Sequence, residues 1–181
     1  MSSSFTAKHR MMTNGTTVKI MVLGEAGVGK TSLIKRFTGG SFSSRMSTTI
    51  GVDKIYKYFS VDGQPVHLQL LDTAGSLKFQ GIMKSYMSSV DAAIFMYDVS
   101  NKETFAALPM WVSLLQNVCC NKRVIKLLLG NKLDLPREVI TKNAKNYADF
   151  EGMLCAETSV KDEGHVDNTF QILLQGLLRN S

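Results

Sequence analysis

The feature that most constrains this chain is the octapeptide Gly24-Glu25-Ala26-Gly27-Val28-Gly29-Lys30-Thr31. It satisfies G-x-x-x-x-G-K-[ST] and follows the β-branched apolar run Val18–Leu23. Beyond it lies a segment that should become helical near Lys30 and stop before Gly39-Gly40. Glycines let successive N–H groups point inward around phosphate oxygens. The helix start adds partial positive charge, Lys30 brings a full charge to the outer phosphates, and the Thr31 hydroxyl can bind Mg²⁺. A glycine-rich turn with an incidental lysine would not need a strand before it and a helix after it. The octapeptide therefore predicts a phosphate-binding loop in an α/β fold.

The rest of the chain continues the alternation. Val52–Val61 and Val66–Leu71 flank Asp62-Gly63-Gln64-Pro65, which predicts an early hairpin. Ala92–Tyr97 and Val124–Leu129 are continuous apolar runs, as expected of strands buried on both faces. Helical spacing recurs at Phe105, Leu108, Val112 and Leu115, at Ile140, Ala144 and Tyr147, and at Val166, Phe170, Leu173 and Leu177. The expected architecture is a doubly wound, mostly parallel six-stranded sheet with one antiparallel hairpin strand. Residues 1–16 are polar and aperiodic and read as a flexible extension, leaving 17–181 as the domain.

Composition narrows the classes further. Of the 181 residues 44% are hydrophobic and 20% charged, enough apolar surface for a core and too much for disorder. The three cysteines, with no CxxC pair, suit free thiols in a reducing compartment rather than disulfides or zinc. No apolar run approaches the ~18 residues of a membrane helix, and the N-terminus has neither an apolar secretion segment nor a glycine at position 2. The net charge of +6 is scattered without interleaved aromatics, so it predicts an anion-tolerant surface and no nucleic-acid partner. His9, His67 and His165 lack any catalytic or metal-binding spacing, and the ten methionines read mainly as core filler.

A second motif, Asn131-Lys132-Leu133-Asp134, follows the apolar strand Val124–Leu129 and Gly130. In open α/β sheets ligands bind beyond the carboxyl ends of the strands, where this tetrad falls. A carboxylate there accepts two hydrogen bonds from guanine N1–H and its exocyclic amine. Adenine lacks that donor pair, and a buried unpaired acceptor costs roughly 1–3 kcal/mol. Alone, the tetrad reads equally as a turn with a helix cap; beside the phosphate loop it makes guanine the expected base.

From about Val18 to Leu178 the chain closely resembles the small GTPases, particularly the Rab-like branch of the Ras superfamily. Asp72-Thr73-Ala74-Gly75 is similar to the start of that family's switch II. Ser47-Thr48-Thr49-Ile50-Gly51-Val52-Asp53 resembles its switch I, and Glu157-Thr158-Ser159-Val160-Lys161 its last base-contacting loop. Phe42, twelve residues after Lys30, resembles the aromatic that packs on the guanine edge. The resemblance implies a GTPase G domain binding GTP or GDP with Mg²⁺. Glu25, Ala26, Gly27, Val28, Gly29, Lys30, Thr31 and Ser32 would surround the phosphates, and Thr31, Thr49 and Asp72 would hold the metal. Asn131 would brace the phosphate loop while the Lys132 stem packs on the base and Asp134 reads it. Ser159, Val160 and Lys161 would complete the base site. Lys30, Thr49, Gly75 and Ser76 would act on the γ-phosphate, whose loss frees both switch segments.

Several residues depart from the family pattern. Ser76 stands where a glutamine usually orients the attacking water, and serine is too short for that reach, so slow intrinsic hydrolysis is expected. Ala26 adds a methyl group where glycine or serine is common, and Val160 replaces the usual alanine. Lys54 and Leu71 replace two effector-binding aromatics, keeping only Tyr86 of that trio, so the usual effectors should not recognise this surface. The sequence ends Leu177-Leu178-Arg179-Asn180-Ser181 without prenylation cysteines, so membranes are expected to be reached only indirectly. The family resemblance also implies an exchange factor, a GTPase-activating protein and an effector. A cytoplasmic role in vesicle or intraflagellar transport follows from it, as a monomer or a subunit of a hetero-complex. The competing reading is a GTP-binding scaffold subunit with little or no hydrolysis.

Overall fold

The computed structural model describes residues 17–40, 49–120 and 122–180. Six strands form one sheet: β1 Thr17–Leu23, β2 Val52–Val61, β3 Gln64–Thr73, β4 Ala92–Asp98, β5 Ile125–Asn131 and β6 Leu154–Glu157. The helices are α1 Lys30–Phe37, α2 Gln80–Met87, α3 Lys102–Ala106, α4 Leu108–Val118, α5 Thr141–Glu151 and α6 Glu163–Asn180, with a 3₁₀ turn at Leu77–Phe79. The strand order is β2-β3-β1-β4-β5-β6. Only the β2–β3 pair is antiparallel, as the sequence pattern predicts.

Alternation along the central strands divides the core into two layers. Ile20, Val22, Ile94, Met96, Leu127 and Leu129 face one side, packing against Phe37 of α1 and Phe170 of α6. Those two rings stack with centroids 3.6 Å apart. Met21, Leu23, Phe95, Tyr97 and Leu128 face the other side, against Met83, Met87, Trp111, Leu115 and Ala144. Burial on both faces explains why these strands read as unbroken apolar runs.

Two local readings are corrected. The hairpin turns on Asp62-Gly63 alone, both with positive φ (50° and 78°), the geometry of a two-residue turn. Gln64 and Pro65 therefore begin β3, with Pro65 opposite Ser60. Proline is tolerated there because it stands at the start of the strand, ahead of the described β1–β3 register that begins at His67. The periodicity from Phe105 to Leu115 is split into α3 and α4 by Ala107, with Pro109 in the first turn of α4.

The connections set the site. After β1 the chain builds β2 and β3 on one side, then crosses to β4 on the other. The crevice beyond the carboxyl end of β1 is the topological switch point. Gly24–Gly29, Asp72, Asp98 and Asn131 follow or close the strands at this rim.

Candidate functional site

At the phosphate end, Gly29 caps α1 with φ 105° and no side-chain hydrogen bond. A Cβ there would lie 2.5 Å from the Asn131 amide nitrogen, so only glycine fits so close an approach. The first amides of α1 are left facing the loop, a natural anion site. Lys30 is buried at 6% exposure, and its Nζ donates to the carbonyls of Gly24 and Glu25, both at 2.8 Å. Burial pushes its ammonium down to about 8, against the attraction of Asp72 and Glu25. A largely desolvated cation hydrogen-bonded, among the described residues, to two carbonyls suits an incoming polyanion. Ala26 and Gly27 are exposed at the loop tip, Val28 is buried, and Ser32 is half-buried in the first turn of α1.

Three oxygens converge beside this loop. Thr31 Oγ1 donates to Asp72 Oδ2 at 2.6 Å and lies 2.9 Å from Thr49 Oγ1. The second Asp72 oxygen, Oδ1, is buried with no hydrogen-bond partner among the described residues. Burial raises the Asp72 carboxyl, opposed by the Thr31 hydrogen bond and the Lys30 charge. One carboxylate and two hydroxyls suit a hard cation that keeps waters and phosphate oxygens as its other ligands, and the orphaned Oδ1 fits Mg²⁺. Among the described residues no group of three His, Cys, Asp or Glu side chains offers another metal site.

The Asp72–Ser76 segment lies against the phosphate loop. Thr73 Oγ1 donates to the Val22 carbonyl at 2.6 Å, and the Ala74 N–H to that of Gly51 at 2.9 Å. Gly75 sits directly on the Ala26 backbone. Ser76 is half-buried and opens the 3₁₀ turn, its carbonyl accepting from the Phe79 N–H at 3.2 Å.

At the base end, Asn131 is fully buried and joins two loops. Its Nδ2 donates to the Val28 carbonyl at 2.8 Å, and its Oδ1 accepts the Val160 N–H at 3.2 Å. The amide of Val160, one of the residues expected to complete the base site, is thus engaged by Asn131 in this structure. Asp134 is exposed, with Oδ1 accepting from Ser159 Oγ at 2.7 Å and Oδ2 from the Lys161 ammonium. The Lys161 and Ser159 hydrogen bonds hold its carboxyl below the ordinary carboxylate range. The Lys132 ammonium is paired with Asp98. Phe42, Ser47 and Thr48 lie outside the described residues.

Two polar contacts escaped the sequence reading. Trp111 Nε1 donates to Glu25 Oε1 at 2.9 Å, and Asp98 pairs with Lys132. Asp98 was findable, because it ends a buried strand on the same rim as Asn131; Trp111 lay inside an ordinary core periodicity. On the effector-like surface, Lys54 Nζ stands 4.8 Å from the Tyr86 ring centroid, and Leu71 is buried.

This combination of a doubly wound sheet, a glycine-rich phosphate loop and a separate carboxylate at the switch point defines a P-loop nucleotide-binding protein. Residues 19–179 match the Ras family. The Ras-related protein Rab-30 of Homo sapiens is 42% identical over 154 residues, covering 84% of this chain and 75% of the relative. The Mus musculus Rab-30 gives the same figures. The Ras-related protein Rab-18-B of Danio rerio is 37% identical over 165 residues, covering 91% of this chain and 80% of its own. The chain belongs to the Ras family, as a Rab-like small GTPase. It is a GTP-binding switch of the kind used in vesicle transport, and the scaffold alternative is not favoured. GTPase activity, guanine-nucleotide and Mg²⁺ binding, and dependence on regulators and effectors are general to that family. Among the described residues no helix is long and apolar enough to cross a membrane.

Proposed function

We propose that this pocket holds GTP and GDP with the phosphates on residues 25–32 and the base between Lys132 and the Ser159–Lys161 loop, read by Asp134. The observation that carries the reading is the Asn131 bridge, which joins the phosphate loop to the last loop. Lys30 exchanges its two carbonyl partners for phosphate oxygens. Thr31, Thr49 and Asp72 hold Mg²⁺, which when bound neutralises charge on the phosphates. The Thr49 and Gly75 amides contact the γ-phosphate and relax when it leaves.

Intrinsic hydrolysis is slow because Ser76 cannot reach a water in line with the γ-phosphate. Its hydroxyl sits 3.4 Å from the Lys78 N–H, within its own turn. A GTPase-activating protein then sets the off rate, an exchange factor the on rate, and the effector is one that accepts Lys54 over Tyr86. The nucleotide that copurifies, with competition of GTP, GDP and ATP for the site, tests this reading. Retained guanine nucleotide and preference over ATP are expected; no saturable affinity for either guanine nucleotide in Mg²⁺ buffer overturns it.

A further inference from the structure

Asp98 is the last residue of β4 and stands in register with Asn131 of β5. It is only 6% exposed, and each of its oxygens is committed. Oδ1 accepts the Ser100 N–H at 2.9 Å and the Ser100 hydroxyl at 2.6 Å, which fixes the plane of the carboxylate. Oδ2 lies 2.6 Å from the Lys132 ammonium. Burial alone would raise this carboxyl, yet the hydrogen bonds from Lys132 and Ser100 hold it below the ordinary range. At the other end of the same side chain the Lys132 backbone has φ 69°, one of two non-glycine residues in the left-handed region among those described. Such a backbone persists only where its surroundings over-determine it.

The lysine is therefore pinned at both ends, by Asn131 and its bridge on the backbone side and by Asp98 at the ammonium. A lysine stem left unanchored samples many rotamers, and ordering it on ligand binding costs entropy. We propose that Asp98 is a positioning residue for guanine-nucleotide binding, anchoring the Lys132 ammonium so that its four-carbon stem is a preformed apolar platform for the purine. This inference rests on the proposed base site, with Lys132 beside the ring. Asp98 acts on the base side, so it strengthens GTP and GDP binding alike. It also keeps the Lys132 charge away from the phosphates, where Lys30 already serves.

The test is the release rate of a fluorescent GDP analogue from the full chain in Mg²⁺ buffer, by stopped flow. Asp98→Asn keeps the shape and an acceptor for Ser100 but removes the ion pair. It should speed release about tenfold or more, as expected for loss of a charge-assisted hydrogen bond. The decisive arm is Lys132→Met, which keeps an apolar stem without the charge. In that background Asp98→Asn should add nothing, because it acts only through the ammonium. A merely structural aspartate would instead add its full effect, overturning the proposal, as would release within about twofold of the unaltered protein. Should Asp98→Asn fail to fold, Ser100→Ala carries the test: release about two- to fivefold faster supports the anchor, and unchanged release overturns it. If the unaltered protein binds no guanine nucleotide, the proposed function fails with it; if it binds and only the variants are silent, the anchor alone fails.

Discussion

The indole Nε1 of Trp111 donates to Glu25 Oε1 across 2.9 Å, tying α4 to the second residue of the phosphate loop. Trp111 is fully buried and is the chain's single tryptophan, so the emission comes from this one indole and its surroundings, the Glu25 contact included. Hydrogen bonds to charged groups contribute about 1.5–3 kcal/mol. Trp111→Phe keeps most of the packing and removes the donor, and GDP release is expected to quicken about tenfold. In the unaltered protein, exchanging GDP for a GTP analogue should shift the tryptophan emission. Release from Trp111→Phe at the unaltered rate would show that the contact does not steady the loop.

Hydrolysis offers a gain-of-function measurement. In the proposed reading Ser76 is too short to orient a water, whereas a glutamine at that position carries one more methylene and an amide in place of the hydroxyl. Ser76→Gln is expected to raise single-turnover GTP hydrolysis about tenfold or more, with GTP affinity nearly unchanged, since orientation of the attacking group is what is restored. An unchanged rate would show that residue 76 does not limit hydrolysis.

What the sequence revealed of the site and what it hid divide along contact range. The phosphate loop was legible because its glycines, Lys30 and Thr31 are contiguous and lie between a strand and a helix. Asp72 and Asn131 were legible because each ends an apolar strand, and strand ends share one rim. The Glu25–Trp111 contact joins residues 86 apart and depends on how α4 settles on the sheet. Nothing in a core helix pattern singles out the one side chain whose polar edge reaches a loop. The same holds for the short β6, whose four half-buried residues offer no alternation to read. At the hairpin, Pro65 drew the expected turn two residues too long, because its cost to a strand depends on whether a neighbour needs its N–H.

Gly75 provides a steric test of how the two phosphate-facing segments meet. A Cβ on Gly75 would lie 2.4 Å from the Ala26 nitrogen and 2.6 Å from its Cα, both backbone atoms that cannot step aside. Overpacking of this kind costs about 1–3 kcal/mol. Thr73 and Ala74 fix the preceding residues, so the strain in Gly75→Ala must push the segment away from the loop at Gly75 itself. GTP affinity is expected to fall about tenfold relative to GDP affinity, because in the proposed site only GTP meets the Gly75 amide. Competition titrations measure the ratio; a preserved ratio would separate Gly75 from γ-phosphate recognition.

In the proposed site the pH dependence of nucleotide binding follows from Asp134, whose carboxyl is held low first by the Lys161 ammonium and then by Ser159. A carboxyl depressed in the folded protein contributes stabilisation that is complete above its unfolded value of about 4. That contribution disappears only as pH falls through the lower folded value. The ionised form that guanine requires thus survives to strongly acidic pH, and protonation of Asp134 should not weaken GDP binding between pH 7 and about 5. Lys161→Met keeps the apolar stem but removes the ammonium, letting the carboxyl rise toward its ordinary value. The acid limb of GDP affinity should move to higher pH in that variant, and by less in Ser159→Ala, where the larger influence remains. A limb that stays in place when Lys161 loses its charge would mean that the ion pair does not govern the protonation of the base-reading carboxylate.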